Sequence, residues 1–338
     1  MVATARFDYP LPSDAIAQVP AEPREAARLL VALDPAGTPL HLCVRDLPDL
    51  LRPGDVVVVN ETRVRPSRLR LRKASGGHVE VLLLEPSAGE GDAGVGEWEA
   101  MVRPARRTPP GTRLSAEPGG PALVEVGEAR GDGTFAVRVL GDFDGHADVA
   151  LPPYITAGLA DPERYQTVYA RRPGSVAAPT AGLHLSRAVL DRCRGRGAEI
   201  HTVDLAVGMA TFRPLQVDRV EDHVMHAERY DVPAATLEAC RGAERVVAVG
   251  TTTVRALESA AATGELSGRT SLFIAGDYPF RVVDALLTNF HQPRSSLLVL
   301  LAAFAGDGWR RLYDVALAEG YRFLSFGDAM LVAHRSVP

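Results

Sequence analysis

Four consecutive valines, Val56–Val59, constrain the fold of this chain more than any other stretch. A strand that is apolar at every position is buried on both faces, which is typical of a parallel sheet covered by helices. A bend at Pro53-Gly54-Asp55 precedes the strand, and the polar cluster Asn60–Arg63 follows it. Ligands of open α/β sheets bind at the carboxyl ends of strands. The cluster is therefore either part of a binding site or a solvated turn.

The second half of the chain alternates between helical and strand patterns. Predicted helices cover Ser186–Arg194, Ala234–Arg241, Val254–Ala262, Ser296–Ala305 and Trp309–Glu319. Predicted strands cover Glu199–Val207, Val246–Val249 and Ser271–Ala275. This alternation predicts an α/β fold, in which helices flank a mixed sheet.

A different pattern interrupts that fold between Val64 and Val149. Arg68, Arg70 and Arg72 alternate with leucines, and further short strands are predicted at Val79–Glu85, Trp98–Arg103, Ala122–Val126 and Thr134–Leu140. Short strands at spacings of roughly ten residues indicate a small β-barrel or sandwich. We therefore predict a β-barrel insert at residues 64–149 within an α/β catalytic domain formed by residues 1–63 and 150–338.

The segment Tyr165–His184 fits neither a helix nor a strand. Almost every side chain between Gly174 and Gly182 is small, so another molecule could approach the backbone closely. Long irregular segments in compact domains are usually functional. A tight, buried crossover without a ligand is the alternative.

Composition excludes several classes of protein. The longest apolar run, Ser296–Ala305, is about half the length needed to span a bilayer, and the N-terminus does not have the pattern of a secretory signal. Three widely separated cysteines argue against disulfides, zinc and iron–sulfur clusters. The net charge of −5 indicates no global affinity for nucleic acid. We expect a cytoplasmic monomer that binds neither metal nor membrane.

Polar residues also follow the other apolar segments. Val246–Ser259 predicts a strand, a turn and a helix whose threonines and free N–H groups favour an anion, although one threonine could simply cap the helix. Gly250 stands alone, so this is not a dinucleotide fingerprint. Thr288–Ser296 and Gly208–Pro214 are polar in the same way. Together with the two clusters described above, these junctions predict one ligand cleft.

His223 and His226 invite a metal interpretation. Their spacing does not place two ligands on one helical face, and no cysteine is near. A role in proton transfer or a purely structural role remains open for each histidine.

The combination of these stretches resembles the S-adenosylmethionine:tRNA ribosyltransferase-isomerase family of queuosine biosynthesis. The matching stretches run from end to end of the chain and are Phe7–Leu11 with Ala17-Gln18, Glu22–Arg24, Gly54–Val64, Gly77–Glu85, Trp98–Pro104, Tyr165–His184, Thr211–Pro214, His223–Tyr230, Val249–Ser259, Val282–Ser296 and Tyr321–Met330.

The resemblance implies an α/β domain with a β-barrel insert. It also implies transfer of the ribosyl part of S-adenosylmethionine to 7-aminomethyl-7-deazaguanine in tRNA, which forms epoxyqueuosine and releases adenine and methionine. S-adenosylmethionine is then a ribosyl donor, tRNA is the partner, and no metal is required. This chemistry needs a base near the carbon beside the sulfonium and a proton donor for the departing adenine.

On chemical grounds we expect three groups of site residues. The candidates for proton transfer are His184, His226, His291 and Asp284. The candidates for binding S-adenosylmethionine are Gly174, Ser175, Thr180, Gly182, Thr251, Thr252, Arg255 and Asn289. The candidates for contacting nucleic acid are Asn60, Thr62, Arg63, Arg68, Arg70, Arg72, Arg103 and Arg106. The insert arginines could equally protect an edge strand by their charge.

The chain departs from the usual family pattern at a few positions. Ala206 and Ala210 replace a histidine and a glycine, Glu61 replaces an aspartate, and Arg229 stands where an aromatic residue normally follows. Two other functions therefore stay open. One is an enzyme that uses S-adenosylmethionine on a small-molecule acceptor, and the other is a non-catalytic RNA-binding relative.

Overall fold

The computed structural model describes residues 2–34, 37–87, 95–130, 133–208 and 214–335. The chain forms two compact units. The first comprises Met1–Arg63 and Pro152–Pro338, and the second comprises Val64–Leu151.

The strands are β1 Arg28–Ala32, β2 Leu40–Cys43, β3 Asp55–Asn60, β4 Thr62–Val64, β5 Arg68–Lys73, β6 His78–Pro86, β7 Gly96–Arg103, β8 Arg113–Ser115, β9 Ala122–Ala129, β10 Phe135–Val139, β11 Ala147–Asp148, β12 Arg172–Ser175, β13 Glu199–Leu205, β14 Glu228–Asp231, β15 Arg245–Val249, β16 Ser267–Thr270, β17 Ala285–Asn289 and β18 Ala329–Ala333. The α-helices are α1 Arg187–Gly195, α2 Ala234–Gly242, α3 Thr251–Thr263, α4 Ser296–Ala305 and α5 Trp309–Ala318.

A nine-stranded mixed sheet dominates the first unit, in the order β16-β14-β13-β3-β15-β17-β18-β1-β2. Strands β13, β3, β15 and β17 are parallel neighbours, so their carboxyl ends meet at one edge. Val56 and Val58 pack into the core on one face of the sheet, and Val57 and Val59 pack into the core on the other. This confirms the α/β fold and the doubly buried valine strand.

Some predicted elements differ from those observed. Ser271–Ala275 is not a strand; the strand in this region is β16, a polar and largely exposed element. The central strands β17 and β18 were not predicted. Both are fully buried, and short apolar segments of this kind show no periodicity that separates strand from helix.

Six strands of the second unit close into a barrel, in the order β5-β6-β7-β10-β9-β8, with β8 also pairing with β5. Leu69 and Leu71 of β5 point into the barrel core, which confirms the alternation with arginine. Strand pairing places Arg70 opposite Glu80, and Glu80 opposite Arg103. Arg70 and Arg103 therefore lie on the same outer face of this unit.

Among the described residues, no helix combines the length and the hydrophobicity that crossing a membrane requires.

Candidate functional site

Three adjoining depressions lie at the carboxyl edge of the parallel strands. The central depression, about 340 Å³ including open solvent, contacts Thr180, Thr251, Thr252, Asn289 and His291. It continues on one side into a polar depression of about 310 Å³, which Tyr154, Gln292 and Ser325 also line. On its other side lies an apolar depression of about 320 Å³, whose walls include Met225, Phe273 and Leu300. Leu297 contacts all three.

Hydrogen-bond donors face the central depression at the start of α3. Gly250 occupies the N-cap position with φ +90° and provides no side-chain cap. The carbonyl of Gly250 accepts from the amides of Thr253 and Val254. The amides and hydroxyl protons of Thr251 and Thr252 have no acceptor among the described residues. A helix N-terminus with unpaired donors favours a negatively charged group.

The opposite wall of the central depression is a hydrogen-bonded set of neutral side chains. Thr180 Oγ1 donates to Asn289 Oδ1 at 2.9 Å, and Asn289 Nδ2 donates to His184 Nε2 at 2.9 Å. His184 is buried behind Asn289 and does not line the depression. Burial, helped by the nearby Arg322 and Arg24, lowers the pKa of His184 to about 3. His184 is therefore a neutral acceptor that fixes the orientation of the Asn289 amide.

His291 lines both the central and the polar depression. Its backbone N–H donates to the Tyr313 hydroxyl at 2.8 Å, and its Nε2 shares a hydrogen bond of 3.1 Å with Thr288 Oγ1. The other ring nitrogen has no partner among the described residues. Burial lowers the pKa of His291 to about 3, so the ring is neutral at physiological pH.

Asn60 is fully hydrogen-bonded within the protein. Its Nδ2 donates to the Leu205 carbonyl and to Thr252 Oγ1, and its Oδ1 accepts from the amides of Thr62 and Leu205. Asn60 and Thr62 are both completely buried. The predicted contact of these two residues with nucleic acid does not fit this arrangement, because Asn60 instead joins β3, β13 and α3.

Hydrogen bonds to neighbouring segments hold the small-residue loop in place. Ser175 Oγ accepts from the Val207 amide at 2.7 Å and donates to the Ala177 carbonyl. A Cβ at Gly182 would overlap the Tyr169 hydroxyl, and Gly174 adopts φ +131° at an exposed position. Gly174, Ser175 and Gly182 do not line the depressions. Thr180 does, together with its neighbours Ala178, Pro179 and Ala181.

Arg255 lines the apolar depression, but it is already paired. Its guanidinium forms a buried ion pair with Glu228 and donates to the carbonyls of Leu272 and Thr270. Glu228 also accepts from the Gly208 amide at 2.9 Å. Arg255 therefore anchors the chain around β14 and β16 instead of presenting a free positive charge.

The other candidates for proton transfer lie apart from the central depression. His226 is exposed and follows Met225 of the apolar depression, while the neighbouring His223 packs edge-on against Phe273. Asp284 lies at the start of β17, at the opposite edge of the sheet, where its carboxylate accepts from the Val246 amide at 2.8 Å. A role for Asp284 in proton transfer at this site does not fit that position. No group of His, Cys, Asp and Glu able to hold a metal occurs in the described ranges.

The arginines predicted to contact nucleic acid differ in whether they already have a partner within the protein. Arg63 pairs with Glu163 at 2.7 Å, and Arg70 pairs with Asp148 at 2.7 Å. Arg68 donates to the Leu151 carbonyl, and Arg72 donates to the Gly76 carbonyl. The exposed residues Arg103 and Arg106 have no acidic partner within the part of the chain that the structure describes.

The residues that depart from the family pattern near β13 contact one another and their neighbours, and nothing in the structure explains the alanine at position 206. Ala206 is buried, and its amide donates to the Arg229 carbonyl at 3.0 Å. The Arg229 guanidinium forms an ion pair of 2.9 Å with the buried Asp204, and the Glu61 carboxylate lies 3.5 Å from Arg172. Ala210 and the predicted junction residues up to Arg213 lie outside the described residues.

Sequence reasoning did not single out several residues that line the depressions, among them Tyr154, Met225, Leu297 and Ser325. They come from distant parts of the chain, and no local pattern sets them apart. Beside these residues, Leu324 adopts a left-handed backbone conformation with φ +69°. Its carbonyl accepts from Asn289 Nδ2 at 3.3 Å.

Known proteins resemble this chain over nearly its whole length. Residues 4–332 match the family described as queuosine biosynthesis protein. A relative from Rubrobacter xylanophilus is 50% identical over 333 residues, covering 97% of both chains, and is named S-adenosylmethionine:tRNA ribosyltransferase-isomerase. A relative of the same name from Thermus thermophilus is also 50% identical, with 96% of this chain and 98% of the relative covered.

A crystal structure of S-adenosylmethionine tRNA ribosyltransferase from Thermotoga maritima covers 97% of this chain and 99% of its own. It shares 34% sequence identity and superposes with a TM-score of 0.55. The family match, the two relatives and this structure each cover nearly the whole chain, and from them we conclude that this chain belongs to the queuosine biosynthesis protein family.

Proposed function

We propose that the protein transfers the ribosyl part of S-adenosylmethionine to 7-aminomethyl-7-deazaguanine in tRNA. The products are epoxyqueuosine in tRNA, adenine and methionine. The observation that carries this proposal is the 50% identity to enzymes of that name over 97% of the chain. Because the acceptor is tRNA, we place the reaction in the cytoplasm. Action as a monomer stays a prediction.

The central and polar depressions offer groups suited to the nucleoside part of the donor. Thr180 and Asn289 present a hydroxyl and an amide of fixed orientation, which suit the hydroxyls of a ribose. Their rigidity matters because pre-positioned groups avoid reorganisation in the transition state. His184 contributes as a positioning residue, since its neutral Nε2 holds the Asn289 amide in place.

Two histidines remain candidates for proton transfer. His291 lines the depressions and has one ring nitrogen without a described protein partner. Because burial lowers its pKa to about 3, it can take up a proton there only when the charge of the bound donor or acceptor raises that pKa. His226 lies on an exposed segment beside Met225 and is a second candidate. A positioned acid or base typically contributes about 10²- to 10⁴-fold in rate.

The outer face of the barrel supplies the candidate contacts to tRNA. Arg103 and Arg106 are exposed and have no described acidic partner, whereas Arg70 is already paired with Asp148. A phosphate must compete with that carboxylate for Arg70. We therefore expect Arg103 and Arg106 to contribute more to tRNA binding than Arg70.

One assay tests the proposed function. The protein is incubated with S-adenosylmethionine and tRNA carrying the deazaguanine precursor, and adenine is measured by chromatography. We expect adenine release that requires this tRNA. Release with a small-molecule acceptor alone, or tRNA binding with no release, would contradict the proposal.

The role of the barrel arginines is tested by the salt dependence of tRNA binding. The double variant R103Q/R106Q should bind tRNA more weakly, and its slope of log affinity against log salt should fall by about one for each phosphate that the variant no longer neutralises. R70Q is the matched control, with a smaller expected change. Equal effects of the two variants would rule out this distinction.

A further inference from the structure

We propose that Tyr9, Gln18 and Arg24 are positioning residues for the proposed reaction, each of which holds one wall segment of the cleft in place. All three belong to the N-terminal segment, residues 7–24. None of these residues, all of which the structure describes, lines the depressions. The inference rests on the proposed function and goes further by giving a part in it to side chains outside the cleft.

The N-terminal segment, described throughout, forms neither a strand nor an α-helix, only short 3₁₀ turns such as Ser13–Ala15. Its main chain instead pairs with residues beside the cleft. The Phe7 carbonyl accepts from the Arg294 amide at 2.8 Å, and the Ala15 carbonyl accepts from the Phe323 amide at 2.7 Å. A segment without a hydrogen-bonded ladder of its own satisfies its polar groups in this way, and it restrains the residues that it contacts.

Tyr9 holds the wall segment that contains His291. The Tyr9 hydroxyl donates to the His291 carbonyl at 2.5 Å, and the His291 amide donates to the Tyr313 hydroxyl at 2.8 Å. The two tyrosine rings pack edge-on with centroids 5.1 Å apart, and both are buried. The main chain of His291 is therefore fixed at its carbonyl and at its amide, which sets the position from which the ring faces the cleft.

Gln18 holds the wall segment that contains Tyr154. Its Nε2 donates to the Tyr154 carbonyl at 2.9 Å, and its Oε1 accepts from the amide and the hydroxyl of Thr156 at 2.9 and 3.1 Å. Tyr154 lines the polar depression and shares a hydrogen bond of 2.8 Å with Ser325 Oγ. One side chain thus fixes the main chain that carries the Tyr154 ring.

Arg24 joins the two ends of the small-residue loop. Its guanidinium donates to the Leu183 carbonyl at 3.1 Å and to the Glu163 carbonyl at 3.0 Å. Thr180 lies between these ends and lines the central depression. A planar guanidinium serves two acceptors in fixed directions, which a lysine ammonium does not. Arg24 therefore sets the span of the loop that presents Thr180.

Each of the three side chains acts through a different group of the cleft, so the loss of each should have its own kinetic effect. His291 is a candidate for proton transfer, whereas Thr180 and Tyr154 line the depressions assigned to the nucleoside part of the donor. Groups held in place in advance need no reorganisation, and a misplacement of about 1 Å can cost about 10²-fold in rate. Loss of the contact to His291 should therefore act on kcat, and loss of either other contact mainly on KM.

The kinetic test compares Y9F, Q18M and R24Q in the full-length protein, with adenine release from S-adenosylmethionine and precursor tRNA as the readout. Y9F should lower kcat about tenfold and change the KM for S-adenosylmethionine little. Q18M and R24Q should raise that KM about tenfold at nearly unchanged kcat. A loss of kcat common to all three variants, in proportion to their loss of folded protein in urea, would overturn the proposal.

Hydrogen exchange followed by mass spectrometry tests the same contacts without any substrate. In Y9F, Q18M and R24Q, exchange should increase mainly in the one wall segment that each side chain holds. These wall segments are, in that order, residues 290–294, 154–157 and 163–184. An increase spread evenly over the first unit, or no increase in the expected segment, would overturn the proposal.

R192Q is the matched control for R24Q. Arg192 also joins two parts of the chain, because it donates from α1 to the Arg45 carbonyl at 2.9 Å and to Asp49 at 3.5 Å in the turn after β2. R192Q should leave kcat, KM and exchange in the three wall segments unchanged. A rise in KM as large as that in R24Q would show that the effect is not specific to the loop.

Failure of this inference and failure of the proposed function give different results. If the unmodified protein releases no adenine with precursor tRNA, the proposed function is wrong, and the exchange pattern alone decides whether the three side chains hold the wall segments. If adenine is released but the variants match the unmodified protein in kinetics and exchange, the proposed function stands and the positioning roles are wrong.

Discussion

Asn60 at the end of β3 and the pair Thr251 and Thr252 after β15 lie at two neighbouring strand ends, and they differ in where their hydrogen bonds go. Asn60 uses both amide donors and both carbonyl lone pairs within the protein. The donors of Thr251 and Thr252 find no described acceptor. Structural residues and binding residues therefore both occur at strand ends. What distinguishes them is whether each polar group already has a hydrogen-bond partner within the protein.

The largest expected effect concerns a third strand end, after β13, where Glu228 holds the Gly208 amide and Arg255. E228Q keeps an acceptor for Gly208 but leaves a buried guanidinium without its counter-charge. We expect a loss of about 3–5 kcal/mol in the free energy of unfolding, measured by urea denaturation.

The double variant E228Q/R255M is the control for that experiment. It should be less destabilised than the sum of its two single variants, because the unpaired charge is gone. Strict additivity would show that the ion pair is not the source of the effect.

The second prediction concerns Asn60, whose amide donors and carbonyl oxygen all have partners within the protein. N60L keeps the branching of the side chain but leaves groups of Leu205 and Thr62 unpaired, so the free energy of unfolding should fall by about 3 kcal/mol. N60D, which keeps the acceptor oxygens for the two amides, should lose less stability. A change below about 0.5 kcal/mol in N60L would refute the structural role of Asn60.

The third prediction concerns the end of β17 and uses the pH dependence of the free energy of unfolding. His184 and His291 have pKa values lowered to about 3 by burial, so the unfolded chain takes up protons below about pH 6.5 while the folded chain does not. Stability from each histidine is complete above pH 6.5 and falls by up to about 1.4 kcal/mol per pH unit as the pH is lowered towards 3.

H184Q is the matched variant for this pH dependence, because it keeps an acceptor for Asn289 but does not titrate. Denaturation curves measured between pH 7 and pH 4 should show a shallower loss of stability in H184Q. Identical slopes in the two proteins would mean that His184 is not held neutral by the fold.

The smallest expected effect has the opposite sign. T251V replaces a hydroxyl that has no hydrogen-bond partner among the described residues with a methyl group, so the free energy of unfolding should stay the same or rise by up to about 1 kcal/mol. Thermal unfolding without ligand measures this change. Destabilisation as large as that of N60L would erase the difference between the two strand ends.

Much of the fold was predictable because it follows from the pattern of apolar and polar residues in short stretches of the sequence. Val56–Val59 revealed a doubly buried strand, and the alternation of arginine with Leu69 and Leu71 revealed a barrel strand with one apolar face. The strand predicted at Ser271–Ala275 was wrong, and β17 and β18 were missed. Edge strands carry polar residues, and short central strands carry no periodicity, so neither type has a reliable local signal.

The candidate site was predictable only in part. Thr180, Thr251, Thr252, Asn289 and His291 were expected on chemical grounds and line the depressions. Asp284 was expected on the same grounds and lies at the other edge of the sheet. Asp284 precedes Asn289 by only five positions, but the extended strand β17 separates the two by roughly 16 Å.

The sequence by itself determined the class of fold, the family resemblance and the polar character of each strand end, because these depend on local composition and order. Only the tertiary structure decided which polar groups are satisfied and which face a ligand. The reason is that the partners are remote in the chain. Asn60 meets Leu205 across 145 residues and Thr252 across 192, and His184 meets Asn289 across 105. Hydrogen bonds over such separations exist only after the parallel strands align their carboxyl ends.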